Sequence, residues 1–417
     1  MSIDRKLILF VNALVTGHHE AAWRLPGAQP GRLRDIAYYQ EIAQIAERGQ
    51  FDAMFVADFF VFYPGVQHSP RWELDAVTLM AGVAATTSHL GLIATGSVTF
   101  SSPEEIARTF STLDHVSNGR AAWNIVTTGE PAASANYGQT KPVPHAQRYA
   151  RGAQTVEEVH ALWRAGEHGN ARIPAPVQGR PLLVQAGSSP DGRDFAARYA
   201  DVVFTAQNTL EAAREFRTDI RERARSNGRD PDSIKVIPGF SPSIGTTADE
   251  ALRRKRELDA LIAPEASLAW LAGFGIDLSG VALDAPLPAE LGDIEKFEGI
   301  RSRFSVIAGV IERARPQTVR ELLALLAGSR GHVAVSGTPA DIAAHIEAWF
   351  RGEAADGFML MPHVLTEDLE TFVDEVVPLL ARAGILRDPS AGIGQSQTLR
   401  ERLGMNESTI DDQHEAG

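Results

Sequence analysis

GLIATGSVTFSSPEEIARTFSTLDHVSNGRAAWNIVTTGEPAASANYG, residues Gly91 to Gly138, is the stretch whose reading decides the fold. It opens on small and apolar residues ending at Thr95-Gly96, and it closes on Arg120-Ala-Ala-Trp-Asn-Ile-Val-Thr127. Between them lies an amphipathic segment. Ser101 or Ser102 is placed to cap a helix there, Pro103 suits its first turn, Glu104 and Glu105 favour its positive end, and Asn118-Gly119 stops it. A strand that passes through a helix into a second buried strand is a βαβ unit, and such units build parallel sheets whose loops at the strand C-terminal ends hold ligands. Thr95, Ser97, Thr99, Asn124, Thr127 and Thr128 crowd those ends, which is more polarity than a turn requires.

Outward from this unit the alternation continues. Leu7 to Val11 reads as a first strand, followed by a loop with His18, His19, Trp23 and Arg24. Ile36 to Arg48 carries apolar residues at helical spacing up to Gly49. Ala53 to Ala57 is a strand ending at Asp58, and Leu74 to Thr87 is a helix. Beyond Gly138, a helix begins at His145, and strands follow at Leu182 to Gln185, Asp201 to Thr205 and Ile234 to Ile237. Residues 264–316 break the pattern and read as an insertion, as do 128–144. Helices at Val319 to Ala327 and Pro339 to Phe350 flank Gly331 to Gly337, Gly357 to Met361 is the last strand, and a closing helix runs from Leu369 to Ala383.

Eight strand ends result: Val11, Ala57, Thr95, Val126, Gln185, Thr205, Ile237 and Met361. Eight strands alternating with helices close most simply as a (β/α)8 TIM barrel. An open doubly wound sheet is the other solution, weakened by the lack of a G-x-G-x-x-G after the first strand. The domain reading is one barrel over residues 1–388 and an extended C-terminal arm over 389–417.

Composition narrows the function. The 417 residues are 44% hydrophobic and 22% charged, enough to bury a large core. A net charge of −13 disfavours nucleic-acid and anionic-membrane surfaces. The absence of cysteine removes disulfides, thiolate metal sites and a cysteine nucleophile. No apolar run reaches the roughly 18 residues of a membrane span, and no signal-peptide pattern opens the chain, so a cytoplasmic address is expected. His18 and His19 beside Glu20 match no closed metal site, and no metal is expected.

The run Thr112 to Thr127, then Ala135-Asn-Tyr-Gly138, His145-x-x-Arg-Tyr149 and Val184-Gln-Ala-Gly-Ser-Ser189, resembles the bacterial luciferase-like superfamily. More narrowly it is similar to the flavin-dependent monooxygenases grouped with nitrilotriacetate monooxygenase component A, dibenzothiophene-sulfone monooxygenase and long-chain alkane monooxygenase. The resemblance spans nearly the whole chain. It implies a TIM-like barrel that uses reduced FMN (FMNH2) and O2 on a small organic substrate, with the flavin delivered by a separate NAD(P)H-dependent flavin reductase. It also implies a homodimer or homotetramer.

The resemblance further assigns cofactor-binding roles. Gly187, Ser188 and Ser189, at a strand end before a helix, offer hydroxyls, N–H groups and a positive helix end to the flavin phosphate. Tyr149, with His145 one turn before it, is expected at the same phosphate, while Asp58, Thr95 and Asn124 are expected around the flavin ring. His18, His19 and His332 are the candidate catalytic proton carriers, and Trp23, Phe59, Phe60, Tyr63 and Phe240 the candidate substrate pocket. His115, His160 and His345 fall within helical patterns and read as structural. Aromatic residues at the mouth and the acidic charge favour an uncharged or aromatic substrate over a polyanion. Two other readings are a deazaflavin-dependent oxidoreductase and a non-catalytic flavin-binding protein of the same fold.

Overall fold

A computed structural model describes residues 5–61, 70, 74–166, 172–288, 290–291, 301–388 and 397–405. Nine strands form one all-parallel sheet: β1 (Ile8–Asn12), β2 (Ala53–Val56), β3 (Gly91–Ser97), β4 (Ala121–Val126), β5 (Leu182–Gln185), β6 (Val202–Thr205), β7 (Lys235–Ile244), β8 (Val333–Gly337) and β9 (Gly357–Leu360). Strands β1 to β7 pair in chain order, β7 pairs with β9, and β9 returns to β1. That circuit closes an eight-stranded barrel. The eight counted strand ends are the eight barrel staves, so the TIM-barrel expectation holds.

The ninth strand was not among them. The ten residues of β7 serve three partners: Lys235 to Pro238 lie beside β6, Gly239 and Phe240 lie beside β9, and Phe240 to Ile244 pair with β8. Gly331 to Gly337 is therefore more than a link between helices. It is an extra strand laid against the protruding end of β7.

Local signals behave as the chemistry dictates. The helix Pro103–Val116 starts at Ser102, whose hydroxyl accepts the Glu105 N–H, and ends at Ser117 before Asn118 and Gly119, both with positive φ. The helix Ile36–Arg48 has the limits its spacing indicates, while Leu74 to Thr87 shortens to Ala76–Ala84. The segment 264–316 contains the helices Pro264–Ala272 and Arg301–Ala314, which build a separate apolar cluster with Leu322 and Leu326. The closing helix is interrupted by one π-turn at Phe372–Val376.

The C-terminal segment departs from the extended-arm expectation where it is described. Residues 397–405 carry the short helix Leu399–Arg402, and Leu399, Leu403 and Met405 pack into the barrel interior below Ile8, Phe10 and Val202. The segment plugs the floor. Arg400 donates to both carboxylate oxygens of buried Asp201, at 2.9 and 3.3 Å, and Arg180 grips the same carboxylate from the other side at 2.9 Å. Burial alone would raise the Asp201 pKa, but the two guanidinium groups outweigh it and hold it well below the usual carboxylate range.

This carboxylate gives a stability prediction. Asp201→Ala takes the carboxylate away from buried Arg400 and half-buried Arg180, and it should cost about 3–5 kcal/mol of folding free energy, read as a lower urea midpoint. Because the folded pKa is depressed, the wild-type contribution is complete above the ordinary carboxylate pKa of about 3.9 and is lost as the pH falls below it. The variant should show less acid sensitivity than the wild type between about pH 4 and 2. Equal midpoints in urea would contradict this.

Candidate active site at the barrel mouth

The two-residue period of a strand decides which side chains reach the barrel interior. Ile8 and Phe10 on β1, Ala53 and Phe55 on β2, Ile93 on β3, Ala122 on β4, Val202 on β6 and Ile237 on β7 point inward and pack together. Leu9, Val11, Leu92, Trp123 and Leu183 alternate with inward positions and face the surrounding helices. One more step of two along each strand reaches the top interior layer. That layer holds Asn12, Thr95, Asn124, Phe204 and Gly239.

Three of these five are polar and buried. The Thr95 hydroxyl donates to the Val56 carbonyl at 3.0 Å and accepts the Asn124 Nδ2 proton at 2.9 Å. The bond fixes the Asn124 amide and uses one of its two N–H groups. The Asn12 Oδ1 acceptor is buried with no hydrogen-bond partner among the described residues. A layer of amides above an apolar interior is costly unless something polar rests on it. Asn12 was not singled out from the sequence, although its place two residues past Phe10 was the available signal.

Beside this layer, β5 delivers a cradle. Ser189 caps the helix Pro190–Tyr199, its hydroxyl oxygen accepting the Gly192 N–H at 3.1 Å, so the Ser189 proton remains available to another acceptor. The Gly187 N–H is held by Gln185 Oε1 at 2.7 Å, and Arg193 Nε fixes the Ser188 carbonyl at 3.0 Å. A Cβ built on Gly192 would stand 2.9 Å from both the Gly187 Cα and the Tyr149 hydroxyl. Backbone, hydroxyls and phenol thus converge on one helix N-terminus, where an anion finds both N–H donors and the positive end of the dipole. Gly192 is a second residue that the sequence reading missed. Tyr149 reaches this point from the helix His145–Ala165, whereas the side chain of His145 lies outside the described residues.

A series of rings crosses from the barrel interior to the first loop. Phe55 faces Phe204 with centroids 6.3 Å apart, Phe204 stacks on His332 at 5.1 Å and 18°, and His332 meets the edge of His18 at 6.1 Å. Gly239 makes the berth for His332, since a Cβ there would lie 2.3 Å from the His332 Nδ1 and 2.7 Å from the Met361 Sδ. His18 and His332 are both buried.

His19 is turned elsewhere. Its Nδ1 accepts the Ala21 N–H at 3.2 Å, which leaves Nε2 to donate to Asp259 at 3.1 Å and defines a neutral tautomer. Burial favours the protonated form of Asp259, but the bonds from His19 and Lys255 prevail and keep its pKa below the usual carboxylate range. His19 therefore ties the first loop to the helix Ala248–Asp259. Trp23 lines an open cleft together with Gly17, His19, Trp270 and Arg330.

Asp58 ends β2 and accepts the Phe60 N–H at 3.2 Å, while burial pushes its carboxyl pKa up. It thus fixes the turn that carries half-buried Phe59 and Phe60. Tyr63 lies outside the described residues. Phe240, a pocket candidate, is placed elsewhere by the structure: it follows inward-facing Gly239, so the strand period turns it outward. It stacks on His345 at 5.6 Å and packs on Phe358 at 5.3 Å in the layer between barrel and helices. Phe240→Ala should cost about 3–5 kcal/mol of stability while leaving flavin affinity unchanged; a selective loss of flavin affinity at normal stability would contradict this placement. His345 and His160 are half-buried on their helices and pack against neighbouring rings, and burial lowers both pKa values, that of His160 to about 3.

A closed parallel barrel with an anion cradle after β5 and a buried polar layer across its mouth defines the luciferase-like class of barrel enzymes. A family model described as luciferase-like monooxygenase matches residues 13–356, and the chain belongs to that family. It is 39% identical to N-acetyl-S-(2-succino)cysteine monooxygenase of Bacillus subtilis (strain 168), with 94% of each chain covered. It is 37% identical to nitrilotriacetate monooxygenase component A of Aminobacter aminovorans, covering 97% of this chain and 98% of that one. The crystal structure of DmoA from Hyphomicrobium sulfonivorans superposes with a TM-score of 0.84 at 27% identity, covering 97% and 93% of the two chains. The protein is a flavin-dependent monooxygenase. Among the described residues, no helix is long and apolar enough to cross a membrane.

Proposed function

We propose that the protein is the oxygenase of a two-component system: it takes up FMNH2 from a separate NAD(P)H-dependent flavin reductase and uses O2 to oxygenate a small organic substrate. The observation that carries this reading is the joint placement of two features on one barrel end, the Gly187-Ser188-Ser189 cradle beside Gly192 and Tyr149, and the interior layer of Asn12, Thr95 and Asn124. The first suits a phosphate and the second a ring rich in donors and acceptors. The residues fit FMN. When bound, reduced FMN supplies the electrons that activate dioxygen.

The chain's own residues then have distinct tasks. Ser188, Ser189, Tyr149 and the helix N-terminus hold the phosphate. Asn124, oriented by Thr95, and the Asn12 Oδ1 orient the ring by hydrogen bonds. Asp58 shapes the turn at the ring's edge. Phe55, Phe204 and Phe60 keep the mouth apolar and exclude water, which strengthens each polar contact inside it. His18 and His332, adjacent and buried, are the pair positioned to hold or move a proton at a ring nitrogen.

The test is a reaction with isotope-labelled dioxygen, FMN, NADH and any competent flavin reductase, followed by mass spectrometry over a substrate panel. Label in a product that requires this protein supports the oxygenase role. Tight flavin binding with no labelled product across the panel would favour a non-catalytic flavin-binding role instead.

A further inference from the structure

Three separate loops each contribute one aromatic ring to a cluster at the rim of the mouth. Phe100, after β3, and Tyr137, after the short helix Pro131–Asn136, lie face to face with centroids 4.2 Å apart and planes within 1°. Phe60, after β2, abuts both edge-on, at 6.1 and 6.3 Å. Tyr137 is 48% exposed, so the stack presents a ring face to solvent instead of completing a core.

Phe60 is held there against its own backbone preference. Its φ is +60°, a left-handed conformation that a bulky side chain rarely adopts. Two bonds hold it: Asp58 accepts its N–H at 3.2 Å and Asn136 Nδ2 donates to its carbonyl at 3.0 Å. Strain clamped at both ends of a residue at a site rim points to a function for where that ring is aimed.

The charges that act on the Tyr137 hydroxyl have one sign. Burial, and then the carboxylates of Asp58, Glu105 and Asp75, push the Tyr137 hydroxyl pKa up, and every charge acting on it among the described residues is negative. Asp75 caps the helix Ala76–Ala84, Glu105 lies in the first turn of Pro103–Val116, and Glu130 precedes Pro131–Asn136, so all three helices opening at this rim start with an acid. An anion approaching the stack meets repulsion, while a flat uncharged group meets a ring face.

We infer that Phe60, Phe100 and Tyr137 form the specificity wall of the substrate pocket, and that it selects a flat, uncharged, aromatic substrate and rejects carboxylates. The inference rests on the oxygenase reading and deepens it. It also separates this chain from the nitrilotriacetate and succinocysteine monooxygenases, despite their 37% and 39% identity. Glu105, Asp75 and Asp58 set the charge selection, and the ring stack sets the shape.

The experiment is isothermal titration of the FMN-loaded protein, at low ionic strength, with the shape-matched probes para-phenylbenzamide and para-phenylbenzoate, and with nitrilotriacetate. The amide should bind at least tenfold more tightly than the benzoate, and nitrilotriacetate should not compete with it. Phe100→Ala should weaken the amide at least tenfold with FMN affinity unchanged. Asp75→Asn with Glu105→Gln, which keeps the helix cap, should strengthen benzoate binding several-fold and leave the amide unchanged, a gain that a damaged fold cannot mimic. Benzoate or nitrilotriacetate binding as tightly as the amide would overturn the inference, as would a Phe100→Ala protein that binds the amide normally. FMN affinity is read separately in the same titrations, so a failure to bind flavin sinks the oxygenase reading without being confused with a failure of the wall.

Discussion

Replacing Ser188 and Ser189 together by alanine should weaken the binding of reduced FMN by a hundredfold or more. In the proposed site each hydroxyl would donate to a dianionic phosphate, and a hydrogen bond to a charged group is worth about 1.5–3 kcal/mol, so the loss of two would amount to at least two decades in affinity. Ser189 has a second role, since its oxygen accepts the Gly192 N–H and caps the helix Pro190–Tyr199. Loss of the cap should cost about 1 kcal/mol of stability. Ser189→Asn separates the two effects, for asparagine restores the cap without the hydroxyl proton. That variant should regain stability and remain deficient in flavin. An anaerobic fluorescence titration reads the affinity, and unchanged affinity in the double variant would remove the phosphate from the β5 loop. Ser188→Ala with Ser189→Ala should also abolish oxygen-dependent product formation at flavin concentrations that saturate the wild type.

Asn124→Leu should cut flavin affinity or turnover by about tenfold to a hundredfold while the urea midpoint stays level or rises. The argument is one of opposed effects. Leucine has the same branched heavy-atom skeleton with a larger volume, and a substitution that removes a buried amide without leaving its partner's donor unsatisfied is close to neutral for folding. The Thr95 hydroxyl keeps its bond to the Val56 carbonyl when Asn124 is lost. The flavin ring, by contrast, loses a hydrogen-bonding partner in a water-poor site, where each such bond carries more weight. A residue retained for the fold would show the reverse, with a lower midpoint and a normal flavin. Stability and activity measured on the same preparation decide between them.

Much of the fold was legible because βαβ units announce themselves through caps and periodicity. Ser102, Pro103 and Asn118-Gly119 delimited one helix correctly, and eight apolar runs marked the eight barrel staves. β8 escaped although a helix precedes and follows it, because Val333 to Gly337 pairs only with the far end of β7 and is not one of the eight staves that close the barrel. The floor plug escaped for a different reason. Leu399, Leu403 and Met405 are a few apolar residues in a polar tail, and only the tertiary fit of Arg400 to Asp201 shows where they go.

The residues that the structure gathers at the barrel mouth could be named from the sequence wherever a residue type alone carries chemistry, as at Ser188, Ser189, Asn124 and Tyr149, and their roles there remain part of the proposal. The mouth was not legible where register or missing atoms decide its shape. Phe240 and Gly239 are neighbours, and the strand period gives the interior to the glycine and the core to the phenylalanine. Gly192 and Gly239 matter for the Cβ they lack, to Tyr149 and His332 respectively. Two adjacent histidines looked equivalent in the sequence, yet a backbone N–H and Asp259 claim both nitrogens of His19 and leave His18 to face His332.

The central claim is an arrangement: phosphate beside β5, ring over the interior layer of Asn12, Thr95 and Asn124. Phosphorus NMR of the FMN complex, together with nitrogen spectra of isotope-labelled flavin, measures the two ends of the cofactor separately. Substitution at Ser188 and Ser189 should move the phosphorus resonance and leave the ring nitrogens in place, and Asn124→Leu should do the converse. If Asn124→Leu moves the phosphorus, or the serine substitutions move only the ring, the flavin does not lie across this mouth as described.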